Sequence, residues 1–177
     1  MTPIADQNEI AVLRVLDEVV RHPSAQAIIE PIASRVEAQL NSDPTPMLAW
    51  EPISLDTYSD KLPNFIRSSW IFVLRANSAS GAERHPNSYQ RVMSYRGGGD
   101  LQIRVDNEWR SHLLRSHPHA SLESRWASIP PNTWHQGVVL GYHWVVVSFH
   151  TVSDRELIEE RLDPTDPNRT CQRRYLH

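Results

Sequence analysis

The chain is poor in cysteine, in glycine and in long apolar runs. Its single cysteine, Cys171, has no partner within the chain for a disulfide, which points to a reducing compartment and makes a cytoplasmic location the expectation. In its polar surroundings Cys171 reads as a surface residue rather than a reactive thiol. The longest apolar stretches, such as HWVVVSFH at 143–150, fall far short of the ~20 residues a bilayer demands, so no membrane span is expected. No charged segment followed by an apolar core opens the sequence, so no signal peptide is expected either. Basic blocks are missing too: 18 Lys and Arg face 21 Asp and Glu, for a formal net charge of -3. Nucleic acid is therefore not an expected partner, although single arginines can still touch an anionic ligand. Neither an internal repeat, nor a low-complexity tract, nor a linker divides the 177 residues, a length that suits one domain.

Proline and tryptophan are present in number. Thirteen prolines against six glycines, with six tryptophans, describe a folded, β-rich body with proline-marked turns. Residues 1–45 read as a helical extension. Ile10, Leu13 and Leu16 recur at helical spacing, as do Val12, Val15 and Val19. HPSA ends that segment, and Ser24 is the expected N-cap of a second helix with Ile29, Ala33, Val36 and Leu40 on one face. Pro31 predicts a kink or a restart there. From residue 46 to 152 the pattern changes to short apolar runs rich in β-formers, among them SSWIFVLRA, QRVMSYRG, DLQIRV and HWVVVSFHT. Strands at such spacing without helices between them imply an antiparallel sandwich or barrel. RGGGD predicts a tight hairpin, and VDNEW a second turn. In residues 153–177, Ser153 and Glu156 resemble a capping box, which predicts a short helix before a polar, irregular tail.

Two lines carry the candidate chemistry. GAERHPNSYQRVMSYRGGGD places Glu83, His85 and Asn87 at alternate positions, hence on one face if 83–87 is extended. SIPPNTWHQGVV carries His135. Together these lines resemble the two motifs of the cupin superfamily. The first reads His-x-His, three or four residues, Glu, six residues, Gly; here His85, Asn87, Arg91 and Gly98 fall on that spacing. The second reads Pro-x-Gly, two residues, His; here Pro130, Asn132 and His135 match, with asparagine where a left-handed turn needs glycine. The resemblance covers roughly residues 65–152. It implies a mainly β, cupin-like double-stranded β-helix, a jelly-roll barrel, with the N-terminal helices and a short C-terminal helix outside it.

A cupin metal centre resembles three histidines and a glutamate around iron, manganese, nickel, copper or zinc. This sequence departs from that set. Asn87 takes the second histidine place, and an amide oxygen is a poor ligand for most transition metals. Arg91 takes the glutamate place and cannot ligate at all. A guanidinium ~5 Å from a divalent ion at an effective dielectric of ~20 is repelled by roughly 6 to 7 kcal/mol. Four readings follow. In the first, His85 and His135 hold a metal, Fe(II) or another divalent transition metal, with Glu83 completing a two-histidine, one-carboxylate set of the kind iron oxygenases use, or Asn87 supporting the sphere through its amide oxygen. Arg91 and Gln90 then hold the carboxylate or phosphate of a small anionic substrate, and Tyr95 orients it. In the second, a metal-free pocket clamps an anion through Arg91, Arg84 or Gln90, with His85 or His135 as acid or base, as in the sugar-nucleotide epimerases of the superfamily. The third is a non-catalytic binding module, and the fourth a purely structural set of polar residues. The iron dioxygenase is the reading carried forward, and a homodimer through sheet edges is expected of it.

The remaining histidines read more simply. His112, His117 and His119 are expected in a surface loop or turn. By parity His150 shares a strand face with Trp144 and Val146, and His143 lies opposite. The tryptophans of the strand region are expected in the core or in a pocket wall, with Trp134 beside His135.

Overall fold

The computed structural model describes residues 6–58, 60–163 and 165–174, and only the backbone at 167 and 168. Helix α1 spans Gln7–Arg21 and begins where Asp6 accepts a hydrogen bond from the Asn8 N–H at 2.9 Å. Its face of Leu13, Leu16, Val19 and Val20 is buried. Helix α2, Pro23–Ser42, is capped by His22 rather than by Ser24, with Pro23 in the first turn, where a missing N–H costs nothing. The expected break at Pro31 does not occur, and α2 runs through it. Packing overrides the lost backbone bond, because Ile29, Ala33, Val36 and Leu40 are all fully buried on either side of that proline.

Strands β1 (Leu48–Ile53), β2 (Ser68–Leu74), β3 (Ser78–Ala79), β4 (Glu83–Arg84), β5 (Gln90–Arg96), β6 (Gly98–Val105) and β7 (Glu108–Arg115) follow. After the one-turn helix α3 (Leu122–Arg125) come β8 (Trp126–Ile129), β9 (His135–Val139), β10 (Trp144–His150), β11 (Ile158–Asp163) and β12 (Asp166–Arg174). They form two antiparallel sheets. One has the order β1-β2-β10-β5-β8; the other runs β12-β11-β4-β9-β6-β7, with β3 also on β9. Trp70, Phe72, Val92, Leu101, Trp144 and Val146 fill the space between the sheets. The alternate residues Ile71, Val73, Met93, Val145, Val147 and Phe149 face outward and are covered by α1 and α2. Both faces of β2 and β10 are thus buried, so these strands read as unbroken apolar runs instead of alternating ones.

Two further expectations change. RGGGD is not a hairpin, because β5 and β6 belong to different sheets. Gly97 (φ +81) turns the chain from one sheet to the other, where a Cβ would sit 2.8 Å from the His143 carbonyl. VDNEW is a hairpin turn: Asp106 and Asn107 both have positive φ, as a type I′ turn requires, and β6 pairs with β7 across them. The short C-terminal helix is absent among the described residues. Ser153 does bond Glu156 at 2.5 Å, as in a capping box, but it closes a single turn at 154–156. The chain then enters the β11–β12 hairpin, because the edge of β4 offers Glu83 and Arg84 as cross-strand partners for Arg161 and Glu160. Much of the tail is therefore strand; its last three residues lie outside the described ones. No helix among the described residues is long and apolar enough to cross a membrane.

Candidate metal centre

Strand β4 is two residues long because Pro86 turns the chain out of it. Glu83 pairs directly with His135, the first residue of β9, which brings a carboxylate and an imidazole face to face. Asn132 (φ +61) sets the turn that delivers His135, and its N–H donates to the His85 carbonyl at 3.0 Å. That bond ties the two sequence lines together. His85 and His135 are each 3% exposed, with ring centroids 5.5 Å apart.

The ligand atoms of Glu83, His85 and His135 lie within 4.8 Å of one another, a cluster that can hold a metal ion. Each histidine is oriented from behind. His85 Nδ1 lies 3.0 Å from the Ile158 carbonyl and His135 Nδ1 3.0 Å from the Thr133 carbonyl, so each Nδ1 carries the proton and Nε2 presents a lone pair. His135 Nε2 is buried and has no hydrogen-bond partner; Glu83 Oε1 is 3.6 Å away, too far for a hydrogen bond. Glu83 Oε2 accepts from Arg161, leaving Oε1 on the histidine side. Burial works to raise the Glu83 carboxyl, but His135, Arg161 and His85 outweigh it and hold the group ionised, below its ordinary range. Burial, followed by the neighbouring His135, pushes His85 down to about 4 against the pull of Glu83, so its imidazole is neutral near pH 7.

A third histidine completes the floor. His150 is fully buried, edge-on to His85 at 5.0 Å, with Ser88 and Ser148 each 3.3 Å from one of its nitrogens. Burial, then His85 and His135, keep it neutral. Behind Glu83, Arg161 also bonds Glu159 at 2.5 Å, and Arg173 reaches the same carboxylate at 2.6 Å.

Other expected site residues lie elsewhere. Arg91 points out of the barrel and forms a two-pronged ion pair with Glu9 of α1 at 2.7 and 2.8 Å. Tyr95 shares that outward face, beside Met93 and under α2. Strand parity explains both: within β5 the inward residues are Gln90 and Val92. Asn87 is exposed and clamps the turn before β11, donating to the Glu156 carbonyl at 2.7 Å and accepting from the Ile158 N–H at 3.2 Å. Arg84 pairs with Glu160 at 2.6 Å and stacks over Trp134 at 4.8 Å. Gln90 does face the cavity, and its Oε1 is buried without a partner. The first motif therefore starts two positions earlier than its spacing alone indicates and ends one position earlier: Glu83-x-His85, four residues, Gln90, six residues, Gly97. Parity places His150 on the face of Trp144 and Val146, but the sequence gives it no role beyond that of a strand histidine. Arg161 and Glu159 carried no signal, because their segment reads as helix.

Two facing antiparallel sheets with the paired motifs meeting between them make this the cupin fold. Solved structures with the same architecture include the coconut allergen cocosin (TM-score 0.51, 14% identity over 67% of this chain and 29% of that one). Recombinant pro-11S globulin of pumpkin aligns at a TM-score of 0.51, with 17% identity over 67% of this chain and 29% of its own. Oxalate oxidase in complex with the substrate analogue glycolate aligns at 0.48, with 13% identity over 61% of this chain and 52% of its own. The chain thus spans about half the length of that oxidase and about three-tenths of the globulins. No family model and no curated protein matches the chain. At these identities the likeness concerns the fold, and chemistry must come from the site.

Proposed function

We propose that this protein is a small-molecule enzyme built around a mononuclear metal centre, with Glu83, His85 and His135 as the ligands and iron(II) as the metal. Two imidazoles and one carboxylate are the donor set of non-haem iron(II) oxygenases, which makes a dioxygenase the reaction class the site supports best. The observation that carries this reading is the buried, partnerless His135 Nε2. An orphaned buried acceptor costs about 1 to 3 kcal/mol, and a metal ion bound there would satisfy it. When bound, iron supplies Lewis-acid and one-electron chemistry toward dioxygen. The chain's own residues fix the ligands: the Ile158 and Thr133 carbonyls set the two imidazoles, and Arg161 turns Glu83. Apolar walls around the cavity keep water from the centre.

The metal-free alternative loses the two cations of its anion clamp and keeps only Gln90. Arg91 is committed to Glu9 and Arg84 to Glu160. Metal analysis after anaerobic iron(II) loading tests the proposal. One iron per chain is expected, with uptake lost in His85→Ala and in His135→Ala; a wild-type protein that never takes up stoichiometric metal would overturn it. A homodimer belongs to the same proposal, since among the described residues β1, β8, β7 and β12 end the two sheets, where a second copy could pair. Light scattering on the eluting peak reads that mass directly.

A further inference from the structure

The cavity beside His135 and Glu83 has a composition that bears on what enters it. It leaves ≈ 50 Å³ for the centre of a water-sized sphere and ≈ 460 Å³ of empty space counted out to the open mouth. Phe72, Leu74, Val92, Leu101, Trp144 and Val146 make most of the wall. No arginine or lysine among the described residues lines it, and the one formal charge on its surface is the Glu83 carboxylate. The nearby guanidinium groups are already engaged: Arg161 with Glu83 and Glu159, Arg84 with Glu160. A carboxylate or phosphate entering this space would meet apolar walls and a like charge, with no cation to replace its lost hydration.

Apart from His135 Nε2, the proposed metal ligand, one polar atom on the wall is unspent among the described residues. Gln90 is 6% exposed, and its Oε1 is buried without a partner. An amide oxygen accepts hydrogen bonds and cannot donate them. A few such groups in an apolar pocket set the orientation of what binds there. Trp144, a wall residue of the same cavity, has its indole N–H committed to Ser94 Oγ at 2.8 Å, so it offers a ring and no competing donor.

We infer that the substrate is a small, uncharged, mainly apolar molecule bearing one hydroxyl or N–H, which it donates to Gln90 Oε1, and not the small anion that the sequence suggests. Gln90 is then the specificity residue of the pocket, and Arg91 and Tyr95 have no part in binding. This inference rests on the small-molecule site proposed above.

Three probes of similar size separate the chemistries: phenol, which donates; anisole, which cannot; and benzoate, which is charged. Binding to the metal-free protein is followed through the Trp144 indole N–H resonance. Phenol is expected to bind about threefold to tenfold more tightly than anisole, the range one net hydrogen bond provides, with benzoate weakest. In Gln90→Met, an unbranched replacement of similar length, the phenol-to-anisole ratio is expected to fall to about one. Equal affinity for phenol and anisole in the wild type, benzoate as the tightest ligand, or a ratio unchanged in Gln90→Met would each overturn the inference. Should that variant not fold, Gln90→Leu takes its place, because the wild-type ratio alone does not separate Gln90 Oε1 from His135 Nε2 as the acceptor. Metal content of the same preparations keeps the two proposals apart. A protein that takes up iron but prefers benzoate loses this inference and keeps the centre. One that selects phenol through Gln90 but never binds metal keeps this inference and loses the centre.

Discussion

Asn132 links conformation to chemistry at a single residue. Its φ of +61 lies in the left-handed region, where most side chains crowd the backbone, and its N–H holds the His85 carbonyl at 3.0 Å. The turn therefore fixes His135 by sequence and His85 by hydrogen bond. Replacing Asn132 by glycine preserves that conformation and should change stability by no more than a few tenths of a kcal/mol. Replacing it by valine forces a β-branched side chain into the same φ and should cost about 1 to 2 kcal/mol, together with a weaker affinity for iron(II). Urea denaturation and metal titration of the two variants check this; a valine variant as stable as the glycine one would contradict it. The residue was legible in advance, since asparagine replacing glycine in the second motif already signals a left-handed turn. Arg91 was not. Motif spacing set it on the glutamate position, but the four residues between His85 and Gln90 include the turn at Pro86 and Asn87, and one extra residue there exchanges the two faces of β5.

At the scale of elements, the β11–β12 hairpin matters most and was the least legible. RELIEERL carries a capping box and helix-favouring residues, so local preference points to a helix. Pairing with β4 overrides it, because a strand there places Arg161 against Glu83 and Glu160 against Arg84. The same hairpin supplies the Ile158 carbonyl behind His85. Two of the three proposed ligands are thus oriented by a segment that lies outside both motif lines. Arg161→Met should strand the Glu83 Oε2 in a buried site and cost about 3 to 5 kcal/mol of stability. It should also weaken metal binding about 10- to 100-fold, as loss of a partner behind a ligand commonly does. Arg161→Lys restores the charge without the forked geometry and should recover part of both. The ligand-field spectrum of the cobalt(II)-substituted protein distinguishes a displaced carboxylate from general loosening, because only the former changes the coordination bands. An unaltered spectrum and affinity in Arg161→Met would remove the hairpin from the account of the site.

Over the whole molecule, the described residues form a barrel with one sheet roofed by two helices and exposed positions along strands of the other, as on β7. The apolar stripes of α1 and α2 announced a packing partner, and the unbroken apolar run of β10 is what a strand buried on both faces looks like; which surface they covered needed the sheet order. The polar residues at that junction complete the picture. Arg91 meets Glu9 with 7% and 13% of their side chains exposed, and Ser128 donates to the same carboxylate at 2.5 Å. Arg125 and the Trp126 indole N–H converge on Asp17, about two turns further along α1. Tyr89 and Phe65 flank the Arg91 guanidinium at 4.5 and 5.2 Å, which shields the pair from water and makes a lone arginine there costly. The residue expected to grip a substrate instead fastens α1 to the barrel. Glu9→Ala should therefore destabilise the fold by about 3 kcal/mol or more, because it leaves a buried cation unpaired. Removing both partners, with Arg91→Met added, should restore much of that loss by replacing the pair with apolar packing. Iron(II) affinity should be unchanged in the double variant, since the pair lies on the far side of β5 from His85 and His135. Chemical denaturation of the single and double variants measures the first two effects. A metal titration of the double variant measures the third, and a loss of affinity there would mean that α1 reaches the centre after all.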